Sequence, residues 1–439
     1  MEADPVAVAT SVVEDLRAGR FAEAEARFAP RLRNAVSAET LALAWSGELS
    51  RLGAVRAVGE PWSEPGAQGL VRVHVPVDGE RGGLTAVMSV DGAGLLHGFR
   101  LAPPAGQEWT PPPYAARGRF TERDVTVGTG PLAVPGTLTL PRRRRPRGGR
   151  PGVVLLASGP SDRDLTTGPN KPFKDLAWGL AERGIAVLRF DKVTYVHGEV
   201  AAEPGFTLAD EYLPHARAAV RLLQEQPGVD PARVFLAGHS GGGKAAPRAA
   251  AADPAVAGVV IMAGDAHPLP DAAVRVARRL AALDGAGDAA SVVASVARQA
   301  ARAAAADLAP GTPTQDLLFG WPASYWLDLR DYDQVATAAA LDRPLLVLQG
   351  GRDYQVTVEQ DLARWRAGLA RRPDVTVRVH EADDHMFFPG SGPSTPAGYQ
   401  VPQHLDPAVV AGMAEWVTDP QGACGGPGTA VRRWRRGGR

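Results

Sequence analysis

The stretch Arg233-Val-Phe-Leu-Ala-Gly-His-Ser-Gly-Gly-Gly243 decides how the rest of the chain is interpreted. Its first half is apolar and rich in β-formers, which predicts a buried strand, and an alanine-rich helical segment follows the last glycine. The middle fits the pattern G-x-S-x-G, which puts Ser240 on a tight, strained turn between strand and helix. Side chains at Gly238 or Gly242 would collide with the neighbouring strand and helix. The stretch therefore predicts a nucleophilic serine, and a glycine-rich turn with an idle serine is the alternative.

Length and composition narrow the class of protein. With 439 residues the chain is too long for one ordinary domain, so two are expected. A formal net charge of zero gives no indication of a nucleic-acid partner. No apolar run has transmembrane length and the N-terminus lacks a signal-peptide pattern, so we expect a cytoplasmic protein without membrane contact. The single cysteine, Cys424, excludes an internal disulfide and a cysteine-based zinc cluster.

The N-terminal part, residues 1–101, is predicted to be a small α+β domain. Apolar residues at helical spacing predict three helices, and alternating apolar residues after them predict an antiparallel meander of four strands. A proline-rich linker is expected at 102–117 because prolines cluster there. At the other end of the chain, the Gly/Arg-rich segment 420–439 is predicted to be a disordered basic tail.

The larger part, residues 118–419, is predicted to be an α/β domain. Two leading strands at 120–127 and 132–140 should form an antiparallel edge. The strands that follow are expected at 153–157, 185–190, 234–237, 256–262, 345–348 and 375–380. Because helical segments alternate with them, the sheet should be mostly parallel with helices on both faces. The helical excursion at about 265–335 is too long for an ordinary connection and predicts a cap.

Two further residues complete a candidate catalytic triad. Asp353 follows the predicted strand 345–348 and a glycine turn, and His385 lies in the loop after the strand 375–380. The carboxyl ends of parallel strands meet at one edge of a sheet, so these residues and Ser240 should lie together. A serine nucleophile needs a base and the base needs an orienting acid. We therefore predict that Ser240 is the nucleophile, His385 the base and Asp353 the orienting acid.

Alternatives to these roles exist nearby. Asp265 follows the predicted strand 256–262 and is the best rival acid. His239 occupies the x position of the turn, where a side chain normally points away from the site. Asp383 and Asp384 precede the candidate base and are expected to be solvated or to cap the loop.

An oxyanion hole needs two backbone N–H donors. Gly241, directly after the serine, should supply one of them. The second should come from the loop after the strand 153–157, where Pro160 has no N–H, which leaves Ser158 or Gly159. Ser158 is the preferred choice, and a plain polar turn is the alternative.

Several segments make the chain recognisable. They are Ser158-Gly-Pro-Ser-Asp-Arg-Asp164, Gly168-Pro-Asn-Lys-Pro-Phe-Lys-Asp-Leu-Ala-Trp178, Gly184-Ile-Ala-Val-Leu-Arg-Phe-Asp-Lys192, Ser324-Tyr-Trp-Leu-Asp-Leu-Arg330 and Leu348-Gln-Gly-Gly-Arg-Asp-Tyr-Gln-Val-Thr357. Over most of residues 118–418 the chain resembles bacterial α/β-hydrolases of the carboxylesterase and serine aminopeptidase-like group, some of which carry a small N-terminal accessory domain of unknown function. The resemblance implies the α/β-hydrolase fold, hydrolysis of short acyl esters, and the triad named above.

The chain also departs from that family in three places. Gly241 stands where the family usually has a bulkier residue, often leucine. The turn before Ser158 is one residue shorter than usual, and Asp383-Asp384-His385 replaces the usual Leu-Asn-His. These departures concern the oxyanion hole and acyl preference more than the reaction class.

The expected partner is a small-molecule ester, with no metal and no organic cofactor. Tyr325, Trp326 and Tyr354 are candidates to line the acyl pocket, although aromatic residues of this size are more often core. A peptidase, amidase or thioesterase of the same fold is the nearest alternative, and a non-catalytic binding protein is another. A homo-oligomer is compatible with the sequence.

Overall fold

The computed structural model describes residues 3–66, 69–80, 82–102, 104, 109–142, 147–284 and 289–420. Cys424 and the predicted tail after residue 420 lie outside these residues. The chain separates into two compact units. The first contains the chain up to Trp109 together with Gly168–Asn170 and Pro396–Pro402, and the second contains the remainder.

The first unit packs helices on an antiparallel sheet. Its elements are α1 (Pro5–Arg17), α2 (Phe21–Ala26), α3 (Pro30–Ala35), α4 (Ala38–Leu52), β1 (Val55–Val58), β2 (Trp62–Pro65), β3 (Val71–Gly79), β4 (Gly82–Val90) and β5 (Leu96–Ala102). The sheet has the order β1-β3-β4-β5, with β2 paired to β3. Val73, Val75 and Val77 of β3 are buried, as the alternation in the sequence predicts. The helix α3 and the short strand β2 were not predicted.

The second unit is built on an eight-stranded sheet. Its strands are β6 (Phe120–Val127), β7 (Val134–Pro141), β8 (Arg150–Leu156), β9 (Ala186–Phe190), β10 (Val229–His239), β11 (Val259–Met262), β12 (Leu345–Gly350) and β13 (Val375–His380). The order is β13-β12-β11-β10-β8-β9-β7-β6. At one edge of the sheet, β6 pairs antiparallel with β7 and β7 pairs antiparallel with β9. The other neighbouring strands pair in parallel. The prediction of a mostly parallel sheet with an antiparallel edge is confirmed.

Helices cover both faces of this sheet. The α-helices described in this unit are α5 (Pro172–Glu182), α6 (Val193–Val196), α7 (Leu208–Gln224), α8 (Gly241–Ala252), α9 (Leu269–Asp284), α10 (Ala289–Ala304), α11 (Ala323–Arg330), α12 (Gln334–Ala340), α13 (Ala363–Leu369) and α14 (Pro407–Thr418). Alternate residues of β8 belong to two different cores: Val153 and Leu155 pack in one, and Val154 and Leu156 in the other. A sheet whose strands are buried on both faces is the signature of this layered α/β class.

The excursion between β11 and β12 contains α9 to α12. Part of it has a small core of its own, which includes Leu317, Leu318 and Trp326. No helix among the described residues is both long and apolar enough to cross a membrane.

Candidate active site

Ser240 sits on a strained turn between β10 and α8. Its backbone has φ 53° and ψ −117°, a left-handed conformation that residues other than glycine rarely adopt. The Ser240 N–H donates to the carbonyl of Met262 at 2.9 Å, which ties the turn to β11. The serine is half-buried and directly follows the last residue of β10.

The two glycines of the turn are required by close backbone contacts. A Cβ on Gly238 would lie 2.1 Å from the carbonyl oxygen of Gly242. A Cβ on Gly242 would lie 2.1 Å from the carbonyl oxygen of Leu156 in β8. The collisions that the sequence predicts at both positions are therefore present, and both involve backbone atoms that cannot move aside.

We expect Gly238→Ala to destabilise the second unit by about 2–3 kcal/mol, because its methyl group overpacks a rigid turn. The measurement is urea unfolding followed by intrinsic tryptophan fluorescence. Gly311→Ala is the matched control, since a Cβ there meets nothing within 4 Å and its φ is not in the left-handed region. Equal midpoints for the two variants would contradict the steric explanation.

His385 and Asp353 meet at the carboxyl ends of β13 and β12. His385 Nδ1 donates to Asp353 Oδ2 at 2.7 Å, and both side chains are almost fully buried. Oδ2 also accepts from Gln349 Nε2 at 3.2 Å, while Oδ1 accepts the N–H groups of Gln355 and Val356 at 2.8 and 2.9 Å. Burial lowers the pKa of His385, but the charge and hydrogen bond of Asp353 outweigh it, so the pKa is raised.

His239 connects the base to the serine turn. Its Nε2 lies 2.7 Å from the carbonyl oxygen of His385, and because a carbonyl only accepts, this nitrogen carries the hydrogen. The two imidazole rings have centroids 4.7 Å apart. Burial, followed by the neighbouring His385, lowers the pKa of His239 to about 3. His239 is therefore neutral near pH 7, and because it directly precedes Ser240 its contact ties the loop of His385 to the serine turn.

The rival acids have other partners. Asp265 forms an ion pair with Lys244 at 2.7 Å, and Lys244 Nζ also donates to the carbonyl of His267 at 3.2 Å. Asp384 accepts the N–H groups of Met386 and Phe388 at 2.9 and 3.0 Å and thereby caps its own loop. Among the described acids, Asp353 is the one that hydrogen-bonds the His385 ring.

The two predicted oxyanion residues are neighbours. Gly241 is the first residue of α8, and the N–H groups of a first helical turn have no partner within the helix. A Cβ on Gly241 would lie 3.8 Å from the Cβ of Ser158 in the loop after β8. Ser158 is half-buried, and its carbonyl accepts the hydroxyl of Ser161 at 2.8 Å, which shapes this loop.

Sequence reasoning missed a buried polar network beside Gly241. A Cβ on Gly241 would lie 3.3 Å from the hydroxyl oxygen of Tyr212. That hydroxyl donates to the carbonyl of Ala157 at 3.1 Å and accepts from Lys192 at 2.8 Å. Lys192 also pairs with Glu211 at 2.7 Å. The scarcity of lysine was the available signal, because Lys192 and Lys244 are two of only four lysines and both are buried.

The three aromatic residues predicted to line a pocket lie in different surroundings. Tyr325 is buried in the core, where its hydroxyl donates to Glu211 Oε2 at 2.6 Å. Trp326 is buried in the small core of the excursion. Tyr354 is half-buried and directly follows Asp353. Of the three, Tyr354 is thus the one placed by sequence beside a triad residue.

No protein-family model matches the chain. The chain is 34% identical to the esterase EstD of Thermotoga maritima over 339 residues. The matched residues cover 77% of this chain and 77% of EstD.

Three solved structures show weaker similarity. Est1E from Butyrivibrio proteoclasticus is 15% identical with a TM-score of 0.42, over 68% of this chain and 98% of that one. A hyperthermophilic esterase from Pyrobaculum calidifontis is 15% identical with a TM-score of 0.43, over 68% and 85%. A puromycin-hydrolysing peptidase from Mycobacterium tuberculosis is 18% identical with a TM-score of 0.42, over 79% and 46%. These likenesses are too weak to add to the argument.

The sheet order, the serine turn between β10 and α8 and the helical insertion before β12 are those of an α/β-hydrolase, as the sequence predicts. The relationship to EstD covers more than three quarters of each protein. The chain belongs to the EstD family of α/β-hydrolase esterases and is a carboxylic ester hydrolase.

Proposed function

We propose that this esterase works through an acyl-enzyme in which Ser240 is the nucleophile, His385 the general base and acid, and Asp353 the orienting acid. The observation that carries the proposal is the 2.7 Å hydrogen bond from His385 Nδ1 to Asp353 Oδ2. Because Nδ1 holds its hydrogen on Asp353, the other ring nitrogen, Nε2, is the one left to accept a proton. The His239 contact holds this ring beside the serine turn.

The chemistry follows in two balanced halves. Ser240 Oγ attacks the ester carbonyl carbon while its proton passes to His385 Nε2, and the carbonyl oxygen becomes an oxyanion. When the tetrahedral intermediate collapses, the C–O bond to the alcohol breaks and His385 returns the proton to the departing alkoxide. A water molecule then attacks the acyl-serine and gives a proton to His385 Nε2. The bond between the acyl carbon and Ser240 Oγ breaks, and His385 returns the proton to Oγ, which releases the carboxylic acid and restores Ser240.

The oxyanion would be held by the N–H groups of Gly241 and Ser158. Two features support this assignment: the position of Gly241 at the start of α8, and the proximity of Ser158 to it. Gly159 is the alternative second donor. Its φ of 55° gives it a left-handed backbone, so the loop turns at that residue.

We also propose that the preferred esters have short acyl chains. The support is the resemblance to short-chain esterases and the bulk near the serine turn, where Tyr212 approaches Gly241 and Tyr325 bonds to the adjacent Glu211. Tyr354 would border the acyl group, whereas Tyr325 and Trp326 would shape its pocket from within the core. A series of p-nitrophenyl esters from acetate to palmitate measures this preference.

Esterase and amidase activity can be compared on two substrates that carry the same acyl group. We expect p-nitrophenyl acetate to be hydrolysed at least about 10³-fold faster than p-nitroacetanilide, because the neutral, aromatic segment Trp321–Trp326 of the excursion offers no acidic cluster for a peptide amine. A fluorophosphonate probe should label the protein at Ser240, since only an activated serine reacts readily. Faster hydrolysis of the anilide would favour the amidase alternative, and a protein that resists the probe would favour a binding role.

A further inference from the structure

Three side chains converge beside the loop that carries His385. His380 ends β13, Asp383 lies in the loop, and Asp406 caps the N-terminus of α14. One possible ligand atom from each residue lies within 4.8 Å of those of the other two. His380 Nδ1 and Asp383 Oδ2 are 3.9 Å apart. This cluster is separate from the Asp353–His385 pair, because none of its members hydrogen-bonds that pair through its side chain among the described contacts.

Asp383 is the unusual member of the cluster. It is 0% exposed, and no donor among the described residues hydrogen-bonds either of its carboxylate oxygens. Its neighbour Asp384 is also buried but accepts two backbone N–H groups. A buried carboxylate without a partner is strongly unfavourable, so a positive species is expected beside it. The carboxylate of Asp406 makes a neighbouring positive species more favourable still, because it brings a second negative charge close to Asp383.

The nearby cations are engaged elsewhere. Arg352 donates to the carbonyls of Gly392 and Ala382 at 2.7 and 3.0 Å. Arg378 lies 3.6 Å from Glu415. His380 Nε2 has no hydrogen-bond partner among the described residues. A buried carboxylate that converges with other possible ligand atoms and accepts no hydrogen bond is typical of an ion-binding site.

We propose that His380, Asp383 and Asp406 bind one divalent transition-metal ion, Zn²⁺ or Mn²⁺, in a structural role. One imidazole nitrogen and two carboxylate oxygens form a donor set that suits these ions better than Ca²⁺ or Mg²⁺, which favour oxygen alone. Ligand atoms within 4.8 Å of one another can close on an ion at bond lengths of about 2.0–2.2 Å with small side-chain movements.

The ion would join three segments around the candidate base. Its ligands come from the end of β13, from the loop, and from the residue that caps the N-terminus of α14, and Asp383 precedes His385 by two positions. Phe387 in the same loop has a left-handed φ of 59°, a strained conformation that the surrounding structure holds in place. The departure of Asp383 from the family's usual leucine also has an explanation here, since leucine cannot bind an ion.

A proton is the competing occupant. In the absence of an ion, burial and then the neighbouring Asp406 raise the pKa of Asp383 to about 9, and a protonated Asp383 would donate to Asp406. A bound metal ion and a shared proton predict different metal contents, so a measurement of bound metal distinguishes them.

The test uses tag-free, full-length protein carrying Cys424→Ser, which removes the thiol as a ligand. After EDTA treatment and dialysis, Zn²⁺ or Mn²⁺ is added in turn, excess ion is removed by gel filtration, and the bound metal is measured by mass spectrometry. We expect one ion per chain and a higher Tm in its presence. A Tm that does not respond to either ion, with less than one tenth of an ion per chain, would overturn the proposal in favour of the shared proton.

Two variants test whether the ion binds at the proposed ligands. Asp383→Asn and His380→Gln should each weaken metal binding by more than about 100-fold, since changes to outer partners of a metal site already cost 10–100-fold. The matched control is Asp91→Asn, which removes the carboxylate of an exposed His–Asp pair, His97 with Asp91 at 2.8 Å. It should keep full metal content. If Asp383→Asn fails to fold, His380→Gln still decides, and stoichiometric metal in His380→Gln would rule out this site.

Discussion

Ser240→Ala should lower kcat/KM for p-nitrophenyl acetate by about 10⁴–10⁶-fold, the range found when a triad nucleophile is removed. Alanine keeps the backbone and deletes the hydroxyl, so the acyl-enzyme cannot form. The left-handed turn already holds a residue with a Cβ, and the backbone bond from residue 240 to Met262 does not involve the side chain. The variant should therefore fold normally, with an unchanged Tm and no labelling by the fluorophosphonate probe.

Ser291→Ala is the control for this experiment. Ser291 lies exposed on α10, so that loss of its hydroxyl should leave kcat/KM within about twofold. Activity of Ser240→Ala within tenfold of the native enzyme would refute the proposed nucleophile while leaving the family assignment intact.

Asp353→Asn should lower kcat by about 10⁴-fold with little change in KM, as in other triads whose acid becomes an amide. The structure gives a specific reason. The N–H groups of Gln355 and Val356 both donate to Oδ1, so an asparagine must keep its carbonyl oxygen there. Its NH₂ group then faces His385 Nδ1, which can meet that donor only as an acceptor. The ring hydrogen is transferred to Nε2, the nitrogen that must accept the serine proton.

The rival acid provides the comparison for this variant. Asp265→Asn breaks the buried pair with Lys244 and should lower stability, but it leaves the hydrogen bond on His385 Nδ1 intact. We expect its kcat to fall by less than about tenfold. A larger loss of kcat in Asp265→Asn than in Asp353→Asn would exchange the roles of the two residues.

The sequence predicts the bounds of two partly exposed strands more closely than those of the buried central strand β10, which extends beyond the predicted 234–237. Strands β6 and β13 have the predicted bounds because period and turn residues delimit them. Helix α7 begins at Leu208, because Thr207 and Asp210 form a capping box that starts the helix before Pro214. The last helix, α14, was not predicted, although Asp406 and Pro407 are typical of a helix start.

The candidate site was predictable in part for a related reason. Ser240, Asp353 and His385 each follow a strand, and parallel strands bring their ends together whatever the details of packing. The contacts of Tyr212 with Ala157 and Lys192 span 55 and 20 positions and depend on how α7 packs on the sheet. No local pattern encodes such contacts. The orphaned carboxylate of Asp383 was likewise invisible, since a sequence does not show which donors a folded chain leaves out of reach.

A Cβ on Gly241 would lie 3.3 Å from the hydroxyl oxygen of Tyr212, which comes from a different helix. A larger side chain at 241 would therefore crowd that hydroxyl. Sequence change at one position is coupled to the other: a leucine at 241 requires the Tyr212 hydroxyl to shift or a shorter residue at 212. In directed evolution of this enzyme the two codons are best randomised together, because a library at one position alone would miss the pairs of substitutions that fit each other.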